Sequence, residues 1–134
     1  MIVTGNIVEI VTDKAASLGI QSFFNGWGKI DSPLKDEAIV IFVSTALEPD
    51  TYWERATVHV NICVPDYLGE VNGRRLTDLE RMAKAWSDDM DLMTGVFDGT
   101  QFTIKRLGLG QERDDTLKCS YVNLILSFET LNVR

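Results

Sequence analysis

The chain has 134 residues, 45% of them hydrophobic, which suits one globular domain with a sizeable buried core. Thirteen Lys and Arg against twenty Asp and Glu give a net charge of −7, and no basic run exceeds two residues, so tight binding of nucleic acid is disfavoured. The longest apolar run, residues 38–43, is far shorter than the roughly 20 residues of a membrane helix, and residues 1–10 lack the features of a signal peptide, so we expect a soluble intracellular protein.

Residues 4–18 have the spacing of an amphipathic helix. Apolar side chains recur every three or four residues at Ile7, Val8, Ile10, Val11, Ala15 and Leu18. Asn6 and Glu9 resemble a capping box, and Gly19 is placed to end the helix. The β-branched residues lower the helix propensity, so a strand over residues 1–11 remains an alternative.

Two strands are predicted next. Residues 20–30 are rich in aromatic side chains but are interrupted by Gly26 and Gly28, which indicates a weak strand with a bulge. Residues 38–45 are apolar at every position through Val43. A strand that is apolar on both sides is expected to be covered on both sides of its sheet.

The strand predicted over residues 54–64 has the clearest pattern in the chain. One face carries Ala56, Val58, Val60, Ile62 and Val64, and the other carries Thr57, His59, Asn61 and Cys63. Such alternation is typical of an antiparallel sheet with one face towards the core. Residues 38–45 and 54–64 are predicted to form a hairpin, and Pro65, which has no amide proton, ends the second strand.

A second helix is predicted over residues 74–91, where helical spacing returns. A stripe on this helix is expected to face the core, and it consists of Met82, Trp86, Met90 and Met93. This stripe also indicates which side of the helix meets the sheet.

The remaining pattern predicts a turn at residues 97–100, a strand over 101–107, a polar loop over 108–116 and a long strand over 117–131. The whole order predicts one α+β domain, residues 1–134. Its mostly antiparallel sheet would have about five strands, with two helices packed on one face.

No grouping of residues predicts catalysis. His59 is the only histidine, and Cys63 lies four residues along the same strand, about 13 Å away at roughly 3.3 Å per residue, too far to share a metal ion. Without a secretory signal, Cys63 and Cys119 are expected to be free thiols. The sequence predicts no catalytic residue, no cofactor and no metal site, and the chain is not expected to be an enzyme.

Carboxylates cluster at two places. Asp88, Asp89 and Asp91 fall at the predicted C-terminal end of the second helix, where the helix dipole disfavours negative charge. A cation site, a partner bearing Lys and Arg, and a solvated helix end all remain open. Asp114 and Asp115 fall in the predicted loop before the last strand.

Taken from residue 4 to residue 131, this order of elements resembles the small tail-terminator or tail-completion proteins of long-tailed bacteriophages. In that family an N-terminal helix precedes strands, a strand like residues 56–64, a helix like residues 76–90 and two closing strands. The strand end Val64-Pro65-Asp66 is also similar.

The resemblance implies a structural role in the virion tail, after assembly in the host cytoplasm. Family members form a homo-oligomeric ring, commonly of six copies, on the head-proximal end of the tail tube, where they stop its polymerisation. The implied partners are further copies of the chain, the tail tube protein and the head-connector protein. DNA would pass through the ring without specific binding, which suits the negative charge, and no membrane is involved.

A closed ring needs a head-to-tail contact between different surfaces of the same chain. Candidate segments are residues 48–53, 67–75 and 108–116. The individual interface candidates are Tyr52, Trp53, His59, Asn61, Arg74, Arg75, Asp88, Asp89, Asp91, Asp114 and Asp115. A head-closure or tail-tube protein is the nearest variant of this hypothesis. A small intracellular binding module, or an enzyme subunit whose site forms between chains, is the alternative.

Overall fold

A computed structural model describes residues 1–20, 22–24, 34–50 and 53–131 of the chain. In chain order the elements are α1 (Thr4–Ala15, extended by a 3₁₀ turn, Ala16–Leu18), β1 (Ser22–Phe24), β2 (Ala38–Asp50), β3 (Trp53–Pro65), α2 (Gly73–Asp88), α3 (Met90–Met93), β4 (Thr94–Phe97), β5 (Thr100–Asp114) and β6 (Cys119–Thr130). No helix among these residues is long and apolar enough to cross a membrane.

The strands form one sheet in the order β1-β2-β3-β6-β5-β4. Strand β1 runs parallel to β2, and the other four neighbouring pairs are antiparallel. This confirms the predicted α+β class and the hairpin of β2 and β3. The sheet is centred on β3 and β6, which pair from Glu54 opposite Thr130 to Pro65 opposite Cys119.

The core lies between one face of this sheet and the helices α1 and α2. Alternation in β3 is confirmed, because its predicted apolar face is buried at all five positions, and the matching face of β6 is buried too. The residues of β6 that join this core are Val122, Leu124, Leu126 and Phe128. With both helices on this side, the described elements leave the opposite face of the sheet without a helix.

Helix α1 forms where it was predicted, and the alternative strand does not. Its buried positions are Ile7, Val8, Ile10, Val11 and Ala15. The Oδ1 atom of Asn6 accepts a hydrogen bond of 3.0 Å from the Val3 amide, so Asn6 caps the helix from its first turn and does not precede it. Gly19 ends the helical segment at φ 75°, a left-handed conformation that glycine adopts without strain.

Helix α2 ends three residues earlier than predicted. It buries Leu76, Leu79, Ala83 and Trp86, and Trp86 Nε1 donates to the Lys14 carbonyl at 3.1 Å, which fastens α2 to α1. The predicted methionine stripe is wrong at two positions: Met93 is buried, but Met82 and Met90 are exposed. The turn at Asp89 takes Met90 out of the helical spacing, and Met82 lies beside the buried row that Leu79, Ala83 and Trp86 form.

Three strand predictions need correction. Residues 108–116 are not a loop, because β5 continues to Asp114 and pairs with β6 along its length. Strand β4 was not predicted at all. Strand β2 is longer than predicted, and Val40 and Phe42 are half-buried, so β2 is not fully covered on its second side. Of the strand predicted over residues 20–30, the part at Ser22–Phe24 is confirmed, and 21 and 25–30 lie outside the described residues.

Candidate assembly surface

The sheet face turned away from α1 and α2, which we call the open face, has an uncharged centre. Pairing of β2, β3 and β6 brings nine of its positions side by side. They are Val40, Phe42, Thr57, His59, Asn61, Tyr121, Asn123, Ile125 and Ser127. Most of them are half-buried, because each is flanked by neighbours on the adjoining strands.

His59 lies at the middle of the open face and is held on two sides. Its ring stacks on Phe42 with a centroid separation of 4.8 Å and an interplanar angle of 4°. Its Nδ1 is 3.3 Å from Asn123 Oδ1. Because the amide oxygen can only accept, Nδ1 carries the proton in this contact. His59 is therefore positioned as part of a surface.

Asn61 lies directly opposite Asn123, beside His59. The Oδ1 atom of Asn61 is buried and has no hydrogen-bond partner among the described residues. A buried carbonyl oxygen without a donor is costly, so such atoms are normally paired. The chain thus leaves one buried acceptor of the open face unsatisfied among the described residues.

Charged residues of the open face lie around this centre. Glu129 pairs with Arg55 at 3.3 Å and with Lys105 at 3.7 Å. On the other side, the Tyr121 hydroxyl donates to Glu112 at 2.7 Å, and this hydrogen bond raises the pKa of Tyr121 to about 12. The result is an uncharged centre with ionic groups at its edges.

The two cysteines lie on the same face at the end of β3 and the start of β6. Both are free and buried, in a small apolar cluster with Leu34 and Ala38. A hydrogen bond with Cys119, together with burial, raises the pKa of the Cys63 thiol well above its usual range. Among the described residues, no group of three or more His, Cys, Asp or Glu side chains is placed to hold a metal ion.

The two predicted arginines differ in their surroundings. Arg75 makes a bidentate pair with Glu37, with Nε and Nη2 donating at 2.6 and 2.8 Å, and the hydrogen bonds to that carboxylate raise the pKa of Arg75. This pair ties the start of α2 to the segment before β2. Arg74 is exposed.

The structure separates the three aspartates that were predicted to share a helix end. Asp88 accepts from Arg106 Nη1 at 2.7 Å, and the same nitrogen reaches the Lys84 carbonyl at 3.2 Å, so a guanidinium neutralises the end of α2. Asp89 caps α3 by accepting from the amides of Asp91 and Leu92 at 3.0 and 3.3 Å. Asp88 thus lies at the C-terminal end of α2 as predicted, with Arg106 offsetting its charge, whereas Asp89 and Asp91 lie at the start of α3, where the helix dipole favours negative charge.

Asp114 and Asp115 serve the hairpin between β5 and β6. Asp114 Oδ1 accepts from the Leu117 amide at 3.0 Å. Asp115 pairs with Arg113 at 3.1 Å, and Arg113 also forms a bidentate pair with Asp66, with Nη2 to Oδ2 at 2.8 Å. These carboxylates thus have local structural roles.

Trp53 begins β3 and is 39% exposed. It borders a pocket of about 320 Å³ at this end of the sheet, which we call the groove. The residues that line the groove are Trp53, Thr94, Gly95, Val96, Gln101, Phe102 and Thr103. Tyr52 lies outside the described residues.

A feature that residue-level reasoning missed is the segment 67–71, which we call the prong. Segment 67–75 was a predicted interface, but Tyr67, Leu68 and Val71 were not singled out. They are 66%, 85% and 52% exposed. The available signal was a pair of large apolar residues directly before Gly69, in a turn where polar residues are usual.

Comparison with known proteins supports the fold alone. No protein-family model matches the sequence, and no curated protein matches it. Among 17 matching chains of solved structures, one that bears no functional name aligns with a TM-score of 0.57 and 15% identity. The alignment covers 96% of this chain and 92% of the other.

Proposed function

We propose that the chain is a ring-forming virion assembly protein of the tail-terminator type, which caps the tail tube and joins it to the head connector. The observation that carries this proposal is the uncharged centre of the open face. Nine adjoining positions lack Asp, Glu, Lys and Arg in a chain of which 25% is charged. Protein interfaces are depleted of charge at their centre and enriched in aromatic residues, and their rims are polar.

The chemistry of this centre suits a protein partner. Phe42 and Ile125 supply apolar surface, and the stacked His59 ring extends it. We assign this surface to contacts within the virion, with another copy of the chain as the first partner and the tube or connector protein as the next.

The charge of the chain also supports this role. A ring on the tail tube must let DNA pass through its lumen without holding it. A net charge of −7 repels the DNA backbone, so it favours passage over adhesion.

The proposal is tested by measuring the particle mass of the protein by light scattering. One sample contains the protein alone, and the other also contains tail tubes from the phage or prophage proposed to encode it. A ring of several copies should form in at least one of the two samples. A chain that stays monomeric in both conditions would overturn the proposal. So would a gene neighbourhood without portal, capsid or tail genes.

A matched pair of variants tests the surface itself. Thr57→Lys places a charge in the centre of the open face, whereas Thr77→Lys makes the same change on the exposed side of α2. Both should fold, as judged by circular dichroism. Only Thr57→Lys should lose assembly, since a desolvated charge is disfavoured at an interface centre. Equal assembly by both variants would exclude the open face as the contact.

A further inference from the structure

The prong is an ordered structure that projects apolar side chains. Tyr67 and Glu70 exchange two backbone hydrogen bonds, of 2.8 and 3.0 Å, across a two-residue turn formed by Leu68 and Gly69. Its base is fixed by Asp66, whose carboxylate is held by both terminal nitrogens of Arg113. The turn therefore presents Tyr67, Leu68 and Val71 from a defined position.

The backbone of Leu68 is in an unfavourable conformation. Its φ is 52°, in the left-handed region that suits glycine and asparagine and disfavours a residue with a branched side chain. The side chain gains little within the chain in return, because it is 85% exposed. Asp98 and Lys118 have similar φ values, but Leu68 combines this backbone with a large apolar side chain in solvent, which points to a use outside the monomer.

The groove has room for such a side chain. Its volume of about 320 Å³ lies at the small end of the roughly 300–1,000 Å³ typical of ligand pockets, which is ample for a leucine. Trp53 and Val96 are exposed at its edges. Trp53, Val96 and Phe102 give the groove apolar lining, and Thr94, Gln101 and Thr103 add polar groups beside it.

The prong and the groove lie at opposite ends of β3. The groove includes Trp53, the first residue of the strand, and the prong follows Pro65, the last. Thirteen residues at about 3.3 Å each separate them by roughly 40 Å, so they cannot meet within one chain. A contact between them in two chains would join different surfaces, and such a contact repeats until it closes into a ring or runs on as a filament.

We propose that the prong of one copy inserts Leu68 into the groove of the next copy, between Trp53 and Val96. This head-to-tail contact rests on the proposed ring function, and it adds a second contact between copies to the one assigned to the open face. The unusual backbone of Leu68 would then be compensated by burial of its side chain in the neighbouring copy.

Leu68→Gly is the sharpest test, because glycine adopts φ 52° freely and the variant should unfold at the same temperature as the wild type or higher. Removal of the side chain should nevertheless weaken self-association about tenfold or more, as judged by sedimentation with and without tail tubes. The matched control is Leu107→Gly, at a leucine that is 61% exposed on β5 and outside both surfaces, and it should assemble normally.

A crosslink tests the pairing directly. Leu68→Cys chains mixed with Val96→Cys chains under oxidised glutathione should form a disulfide-linked pair, whereas neither variant alone should do so. The native cysteines are buried and should contribute little. A wild-type ring that Leu68→Gly leaves intact, or a mixture that gives no crosslink, would overturn the contact while the ring function stands. A wild type that never assembles would overturn both.

Discussion

Gly95→Ala is expected to destabilise the fold, because no space exists for a side chain at this position. An added Cβ would lie 2.7 Å from Phe102 Cζ and 3.1 Å from Cε1. Carbon atoms pack at about 3.5–4.0 Å, so the ring would have to move by roughly 1 Å. Phe102 is 5% exposed and stacks on buried Phe128 with centroids 5.2 Å apart, so it cannot move freely.

The magnitude follows from two opposing effects. Overpacking a filled core costs about 1–3 kcal/mol. Replacing glycine also restricts the unfolded chain, which offsets about 0.4–1 kcal/mol of that cost. We expect a net loss of about 1–2 kcal/mol in the free energy of unfolding, or roughly 3–10 °C in Tm for a chain of this size.

Urea unfolding followed by tryptophan fluorescence measures this loss. Gly110→Ala is the control, since an added Cβ there meets nothing within 4 Å, and its stability should be unchanged or slightly higher. Combining Gly95→Ala with Phe102→Leu should be less damaging than the sum of the two, by about 1 kcal/mol. Wild-type stability in Gly95→Ala, or strict additivity in the double variant, would refute this account of the packing.

Two further predictions concern ion pairs. Asp88→Asn should lower the free energy of unfolding by about 0.5–1 kcal/mol, because it removes the carboxylate paired with Arg106. Asp89→Asn should leave the free energy of unfolding nearly unchanged, since asparagine caps a helix as well as aspartate does. Urea titrations of both variants measure this difference. Hydrogen bonds from Arg113 hold the pKa of Asp66 below its usual range. The pair therefore stabilises the fold at any pH above the ordinary Asp pKa of about 3.9. This stabilisation disappears as the pH falls through the lower pKa that Asp66 has in the folded state. The difference in Tm between the wild type and Asp66→Asn should therefore be present at pH 7 and shrink in acid, and a constant difference would argue against the pair.

The sequence was sufficient to predict a secondary-structure element where apolar and polar residues recur regularly over many positions. Strand β3 carries five buried apolar positions in a row on one face, a pattern that no helix would bury. Helix α1 formed in spite of its β-branched residues, because packing of Ile7 and Val11 against the sheet outweighs their weak helix propensity.

Prediction failed where structure depends on distant partners. Gly108 and Gly110 made the second half of β5 look like a loop, yet both pair with β6, opposite Ile125 and Asn123. Strand β4 has only four residues, too few to show a period.

Site residues were predicted unevenly for the same reason. The polar face of β3 was placed correctly, but its aromatic and amide partners come from β2 and β6. The counterion of Asp88 was not predicted, because Arg106 lies 18 residues away on another element. Nothing in the local pattern showed that Asp89 begins a new helix.

The sheet order also determines when the groove can exist during synthesis. Strands β4 and β5 reach β3 only through β6, the last strand to leave the ribosome among those described. At about 5–20 residues per second, the β2–β3 hairpin waits several seconds for β6 to arrive. An unfinished chain already contains residues 67–71, but it lacks Arg113, which fixes the base of the prong, and it has no groove. Under the proposed contact, nascent chains would therefore not associate until each sheet is complete.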